Sequence, residues 1–270
     1  MSGSFKAAVN GTWQRWRFQW SADDAPVFRW YYRFFYRPKA GSIQSFLDAY
    51  SKQTKNFRVI QVGANDGITH DLIHKFIKRD QWQGVLLEPQ LAVFARLQQL
   101  YHKNRQITPL RAAIGEQDGE ASLYKIAFSQ ARWATGLASF NKEVILQAFA
   151  SGYVENKALA EGVDIPAAET DRITAESIPV ISPATLIEQY HLDHFHLLQI
   201  DTEGFDLEVI RLFAAQTTLP DAVIFENAHL DDEQRETARK ILDENGLQCR
   251  DFGKDTLAFR PVLQPLVPGA

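Results

Sequence analysis

Apolar and polar positions change rhythm along the chain in a way that predicts alternating helices and strands. Ser42–Gln53 (SIQSFLDAYSKQ) carries Ile43, Phe46, Leu47 and Tyr50 at the spacing of one helix face, with Ser42 placed to cap it. FRVIQVGANDG follows, a β-branched apolar run closed by turn residues, which predicts a buried strand. THDLIHKFIKRD predicts a helix with Leu72, Ile73, Phe76 and Ile77 on one face. GVLLEPQ (Gly84–Gln90) is a second strand, LAVFARLQQLYHKN an amphipathic helix, and QITPLRAAIG (Gln106–Gly115) a third strand. Strand, helix, strand, helix, strand at this spacing predicts a parallel sheet with right-handed crossovers.

The pattern then blurs and returns. GEQDGEASLYKI predicts a short strand, but from 129 to 182 no period holds: NKEVILQAFASGYVENKAL reads as helical and GVDIPAAETDRITAESIPV as loop. An insertion of this kind is expected to be a lid or substrate-binding element, or plain surface elaboration. Regularity resumes with SPATLIEQYHL, a helix capped by Ser182 with Pro183 at its first position. FHLLQID is a strand ending at Asp201, DLEVIRLFA a helix, DAVIFEN a strand, and DDEQRETARKILDENG a helix closed by Gly246. LQCRDFGKDTLAFRP supplies two short edge strands. The expected fold is α/β: a doubly wound, mainly parallel sheet over residues 41–270 with an antiparallel C-terminal edge, preceded by an arm over 1–40.

Composition narrows the classes. Apolar residues at 45% and charged residues at 23% exclude a disordered chain or a coiled coil. No apolar run is long enough to span a bilayer, and no apolar core with a small-residue cleavage site opens the chain. The single cysteine, Cys249, cannot form an intrachain disulfide, which fits a reducing, cytoplasmic setting. A net charge of -4 gives no support to a nucleic-acid partner.

The charge is uneven. Residues 1–40 hold seven basic side chains against Asp23 and Asp24, and twelve of the chain's 32 aromatics, including the run Trp30–Tyr36. Rings interleaved with arginines suit the inner face of a membrane, a protein-docking surface, or an arm packed on its own domain with arginine stems over the rings.

The turn Val62-Gly63-Ala64-Asn65-Asp66-Gly67 after the first strand is the first site candidate, because glycines let backbone N–H groups approach a ligand. Glu88 at the end of the next strand adds weight: its two oxygens can accept both ribose hydroxyls of a nucleoside. A nicotinamide dinucleotide calls for G-x-G-x-x-G, and Asn65 stands where the middle glycine belongs. A nucleoside without phosphates, such as S-adenosylmethionine, fits better. HLDHFH could be a zinc set, but its spacing converges poorly, so a solvated junction is expected.

VIQVGANDG, LLEP, LRAAIG, LLQIDTEGFDLEVI and AVIFEN, in this order, resemble the FkbM-type family of S-adenosylmethionine-dependent methyltransferases. The most specific block is Ile200–Ile210, although Asp206 stands where Glu is usual. The resemblance implies a Rossmann-like sheet of about seven strands and methyl transfer to a hydroxyl of a sugar, glycan or natural product. It places Gly63, Ala64, Asn65, Asp66 and Gly67 against the methionine portion and Glu88 on the ribose. Ala113, Ile114 and either Glu116 or Asp118 fall beside the adenine, and Asp201 near the methyl. Many methyltransferases begin the first motif with an acid where this chain has Gln61, so Asp66 or Asp71 is expected to meet the ammonium group. Asp201, Glu203, Glu226 and His229 are the candidate bases, Glu203 being equally suited to cap the next helix. Asp201, Glu226 and Asn227 close neighbouring strands and resemble the Asp, Asp and Asn set of magnesium-dependent catechol-type methyltransferases, with Glu226 a departure. They could therefore hold a divalent cation such as magnesium, the competing account being direct proton removal without metal. A nucleotide-dependent oxidoreductase and a non-catalytic binding protein are the alternatives.

Overall fold

The computed structural model describes residues 16–269. The arm's Lys6, Trp13 and Arg15 lie outside the described residues. The arm enters as α1 (16–22) and α2 (Pro26–Phe34), followed by α3 (Ile43–Gln53), where the Ser42 side chain accepts from Ser45 N as expected of a cap.

The main sheet has seven strands in the order β3-β2-β1-β7-β8-β10-β9. These are β1 (Arg58–Val62), β2 (Gln83–Leu87), β3 (Ile107–Leu110), β7 (Leu197–Ile200), β8 (Ala222–Glu226), β9 (Gln248–Phe252) and β10 (Asp255–Phe259). The first five are mutually parallel, and β10 pairs antiparallel with β8 and β9. The chain order reverses between β1 and β7, which puts a crevice at their carboxyl ends.

Period-two alternation distributes each strand between two cores. Val59, Leu197, Ile224 and Leu257 face one cluster, built with α3, α4 (His74–Asp80) and α5 (Leu91–Tyr101). Ile60, Leu198, Val223 and Ala258 face the other, built with α9 (Pro183–Gln189), α10 (Asp206–Gln216) and α11 (Asp232–Glu244). Both faces are covered, so the parallel strands read as nearly continuous apolar runs. No helix among the described residues is long and apolar enough to cross a membrane.

Three expectations are corrected. The third strand is two: after β3 the chain turns at Leu110–Ala112 and re-enters as β4 (Ala113–Ile114) in a second sheet, ordered β4-β6-β5. The stretch read as loop contains β6 (Ile173–Ile181), whose residues Ile173 to Val180 pair with β5 (Gly119–Ile126). Its side chains are mostly solvent-facing or half-buried, so it lacks the apolar alternation that marks a strand in sequence. The terminal strands are not both edges, since β10 lies inside the sheet and only β9 is terminal.

The 129–182 segment also contributes α6 (Arg132–Thr135), α7 (Lys142–Ala150) and α8 (Tyr153–Glu161), around a small core of Ile126, Trp133, Ile145 and Val154. The expected single helical run breaks at Gly152, whose φ of +75° is left-handed.

Candidate active site

A cleft of about 610 Å³ opens at the carboxyl ends of β1, β2 and β7. Val62, Gly63 and Asn65 form one side, Glu88, Ala113 and Ile114 one end, and Asp201, Thr202, Glu203 and His229 the other. Thr135, Ala138, Phe140, Asn141 and Val144 supply the facing wall, so the inserted segment lines the cleft. A second cavity of about 410 Å³ shares Arg132, Asp201 and Glu203 with it and continues to His70, Gln199, Glu226 and Lys254.

The glycine turn owes its glycines to packing. A Cβ on Gly63, at φ +81°, would lie 1.9 Å from the Asp201 carbonyl oxygen. One on Gly67 would lie 2.6 Å from Leu97 Cδ1 on α5. Gly63 therefore lets the first turn close against the end of β7, which brings the turn and Asp201 to the same cleft. Asn65, left-handed at φ 49°, donates its N–H to Glu88 Oε2 at 3.0 Å, and Gln90 N donates to Oε1 at 3.0 Å. Burial pushes Glu88 up to about 7 despite these bonds.

Four expected contacts go elsewhere. Asp66 accepts from Ile68 N, Thr69 N and Thr69 Oγ1 and pairs with Arg96 at 3.0 Å. Asp71 accepts from Ile73 N, His74 N and Gln61 Nε2, all within 2.8 Å, so it caps α4 and takes the amide N–H of the glutamine that replaces the motif's acid, whose buried Oε1 has no partner among the described residues. Both carboxylates are spent on the loop and neither lines the cleft. Asp118 accepts from Ser182 N and Thr185 Oγ1 at 2.8 Å, fastening α9, and Glu116 is exposed. Ala113 and Ile114 do line the cleft.

The acids at the β7 and β8 ends crowd together. Burial, reinforced by the charges of Glu226, Glu203 and Asp206, pushes Asp201 up to about 8. Burial also raises Glu203, against the pull of His229, whose Nε2 lies 3.0 Å from Glu203 Oε2 and 3.7 Å from Glu226 Oε2. Glu203 sits at φ 53°, a conformation that costs a residue with a Cβ about 1–3 kcal/mol. Asp206 bolts the arrangement: buried, it accepts from Thr202 N, Thr202 Oγ1 at 2.6 Å and Glu226 N at 3.0 Å. Glu in its place would carry one more methylene into a fully buried position.

The expected metal set does not converge. The Asn227 amide donates to Thr256 Oγ1 at 2.9 Å, toward β10 and out of the cleft. The groups that do converge are Glu203, Glu226 and His229, with one ligand atom each inside 4.8 Å. Lys254 Nζ already lies 2.8 Å from Glu226 Oε1 and supplies positive charge there. In the histidine run His191 and His194 are exposed, and His196 Nδ1 accepts from Arg58 N, tying the entry of β7 to β1. Sequence reasoning missed Arg132, Lys254 and Gln199. Gln199 follows from register, since it lies opposite Gln61 on the same sheet face, but nothing local marks the other two.

A doubly wound sheet with a nucleoside-sized cleft at its switch point, an acid at the second strand end and acids at the fourth defines the Rossmann-like methyltransferase class. The family model for the methyltransferase FkbM domain matches residues 61–252, most of the chain, and the protein belongs to that family. No curated protein matches in sequence. Among solved structures the chain is similar to the FkbM methyltransferase of Methylobacillus flagellatus KT (15% identity, 86% of this chain and 50% of that one, TM-score 0.44). It therefore spans half the length of that protein. It is also similar to Aeropyrum pernix fibrillarin, a structure with natively bound S-adenosyl-L-methionine (11% identity, 80% and 76% covered, TM-score 0.37). The Methanococcus jannaschii fibrillarin pre-rRNA processing protein is a third (9% identity, 77% and 67% covered, TM-score 0.39).

Proposed function

We propose that this chain transfers the methyl group of S-adenosylmethionine to a hydroxyl oxygen of a sugar, glycan or small natural product. One observation carries the reading: a nucleoside-sized cleft runs from Glu88 to Asp201 and Glu203, where a second, polar cavity begins. Two reactants can then meet at the acids. When bound, the cofactor supplies an electrophilic methyl carbon on a sulfonium. Glu88 holds the ribose, and Ala113 with Ile114 packs on the adenine. Gln199 Oε1, buried and without a partner among the described residues, is free to accept from an acceptor hydroxyl.

Glu203 orients His229, which is placed to take the proton of the acceptor hydroxyl. Asp201 positions the oxygen for the in-line approach. Where Glu203, Glu226 and His229 to hold a divalent cation, it would polarise the same oxygen, but Lys254 would first have to leave Glu226.

The test is incubation with labelled S-adenosylmethionine and a panel of saccharides and phenolic or alcoholic natural products, with and without chelator. Labelled O-methyl product, undiminished by chelation, is expected. Tight binding of a nicotinamide cofactor with no binding of S-adenosylmethionine would favour an oxidoreductase.

A further inference from the structure

α2 turns an apolar face outward. Val27, Trp30, Tyr31 and Phe34 recur at the helical spacing i, i+3, i+4, i+7, and each is more than half exposed. Phe35 extends the stripe, and Trp16 on α1 is 57% exposed. These rings pack on one another, with Trp30 5.4 Å from Phe34 and 5.1 Å from Phe35. A surface helix of a water-soluble fold normally presents the opposite pattern.

The inner side of the arm is anchored, so the stripe is held in place. Tyr32 is buried edge-on against His74, and Ser21 Oγ lies 2.9 Å from His74 Nε2. Burial holds His74 well below its ordinary range and therefore neutral, and its Nδ1 lies 3.1 Å from the Tyr101 hydroxyl. Arg17 donates to the Ile68 carbonyl, on the loop that carries His70 to the smaller cavity.

The charge on the outer side is one-signed. Asp23 and Asp24 are paired with Lys103 and Lys78. Arg29, Arg33, Arg37 and Lys39 enter no ion pair among the described residues, and the three arginines are exposed, Arg29 and Arg33 on α2 but off the apolar stripe. We propose that the exposed face of α1 and α2 docks on an anionic lipid surface, with the helix lying in the interface plane. Tryptophan and tyrosine rings favour the headgroup level, and arginines are drawn to anionic lipid. An exposed aromatic stripe on a helix whose unpaired charges are all basic fits a lipid surface, where the acids come from the headgroups.

The experiment uses the full chain with vesicles of phosphatidylcholine alone or with about one-third phosphatidylglycerol, read by co-sedimentation and tryptophan emission. Binding with a blue shift is expected only on the anionic vesicles, and it should weaken from about 0.1 M to about 1 M salt as the Debye length falls from about 10 Å to about 3 Å. Arg29→Gln with Arg33→Gln should lower the partition coefficient about 30-fold, taking about fivefold for each arginine near the surface. Trp30→Ser with Phe34→Ser should abolish the blue shift; these positions are exposed, so the variants should keep the parent melting temperature. Three results overturn the proposal: no binding of the parent to anionic vesicles at low salt; binding unaltered in both double variants; or a dimer that Trp30→Ser with Phe34→Ser converts to monomer without vesicle binding, which would assign the face to a second copy.

Discussion

Glu88→Gln tests the cofactor end of the cleft, and its two consequences can be separated. The side chain spends one oxygen on Asn65 N and the other on Gln90 N, both at 3.0 Å. Glutamine keeps one acceptor and presents an NH2 to the other backbone N–H, leaving a buried donor unpaired at about 1–3 kcal/mol. At about 2–4 °C per kcal/mol, the apo melting temperature should fall by about 2–12 °C. Binding suffers separately. Replacing a charge-assisted acceptor for the ribose hydroxyls costs about 1.5–3 kcal/mol, a loss of about 10- to 150-fold in S-adenosylmethionine affinity. pH provides the discriminating readout. Glu88 loses its proton near 7, so a ligand that needs the carboxylate binds about tenfold more weakly at pH 6 than at pH 8, where nearly all of it is ionised. Titration calorimetry across this range should show that step in the parent and not in Glu88→Gln, while any step near pH 8 from Asp201 persists in both. A lowered melting temperature with unchanged affinity and an unchanged step near pH 7 would refute the ribose role and leave Glu88 as a clamp on the turn.

His229→Gln should lower kcat by about 10²–10⁴-fold with the S-adenosylmethionine dissociation constant unchanged, and an unaltered kcat in single-turnover assays would move the base elsewhere. Gly63→Ala should destabilise the fold by about 2–5 kcal/mol, from the left-handed backbone and the collision with the Asp201 carbonyl; thermal unfolding within about 1 °C of the parent would contradict that packing. Without cofactor, the chain should be more stable at pH 5.5 than at pH 8.5. Asp71, Glu88 and Asp201 ionise near 6, 7 and 8 in the fold but at about 4 when unfolded, so the stability they give is whole below about pH 4 and lost as pH rises through 6–8. Denaturant midpoints that rise with pH across that window would refute this.

The parallel sheet was legible because strands covered on both faces must be apolar throughout, and FRVIQV, GVLL, HLLQI and AVIFE meet that demand. β6 was hidden for the complementary reason: in a three-stranded sheet with one face in solvent, Thr174, Glu176 and Ser177 carry no hydrophobic period. Glu88 and Asp201 could be placed in the cleft because a strand end fixes position. Asp66, Asp71 and Asp118 could not be sorted, because an aspartate in a loop caps backbone N–H groups as readily as it meets a ligand. Asn227 failed because its amide donates to Thr256 on β10, a residue that in register faces Phe225 and that no local pattern marks as its partner.

Satisfaction separates the two kinds of acid at this edge. Asp66, Asp71 and Asp206 are surrounded by donors and close their loops. Asp201, Glu203 and Glu226 face one another; Lys254 lies 2.8 Å from Glu226 and His229 3.0 Å from Glu203, while Asp201 enters no ion pair among the described residues. Burial, with the neighbouring acids adding to it, raises both Asp201 and Glu203, a standing cost of the fold. A ligand bearing positive charge beside Asp201 would lower it; a neutral nucleoside or a dinucleotide phosphate would not. S-adenosylmethionine brings both a sulfonium and an ammonium. The charge of the cluster favours a cationic ligand and Glu88 favours a ribose, and the S-adenosylmethionine of the proposed function carries both.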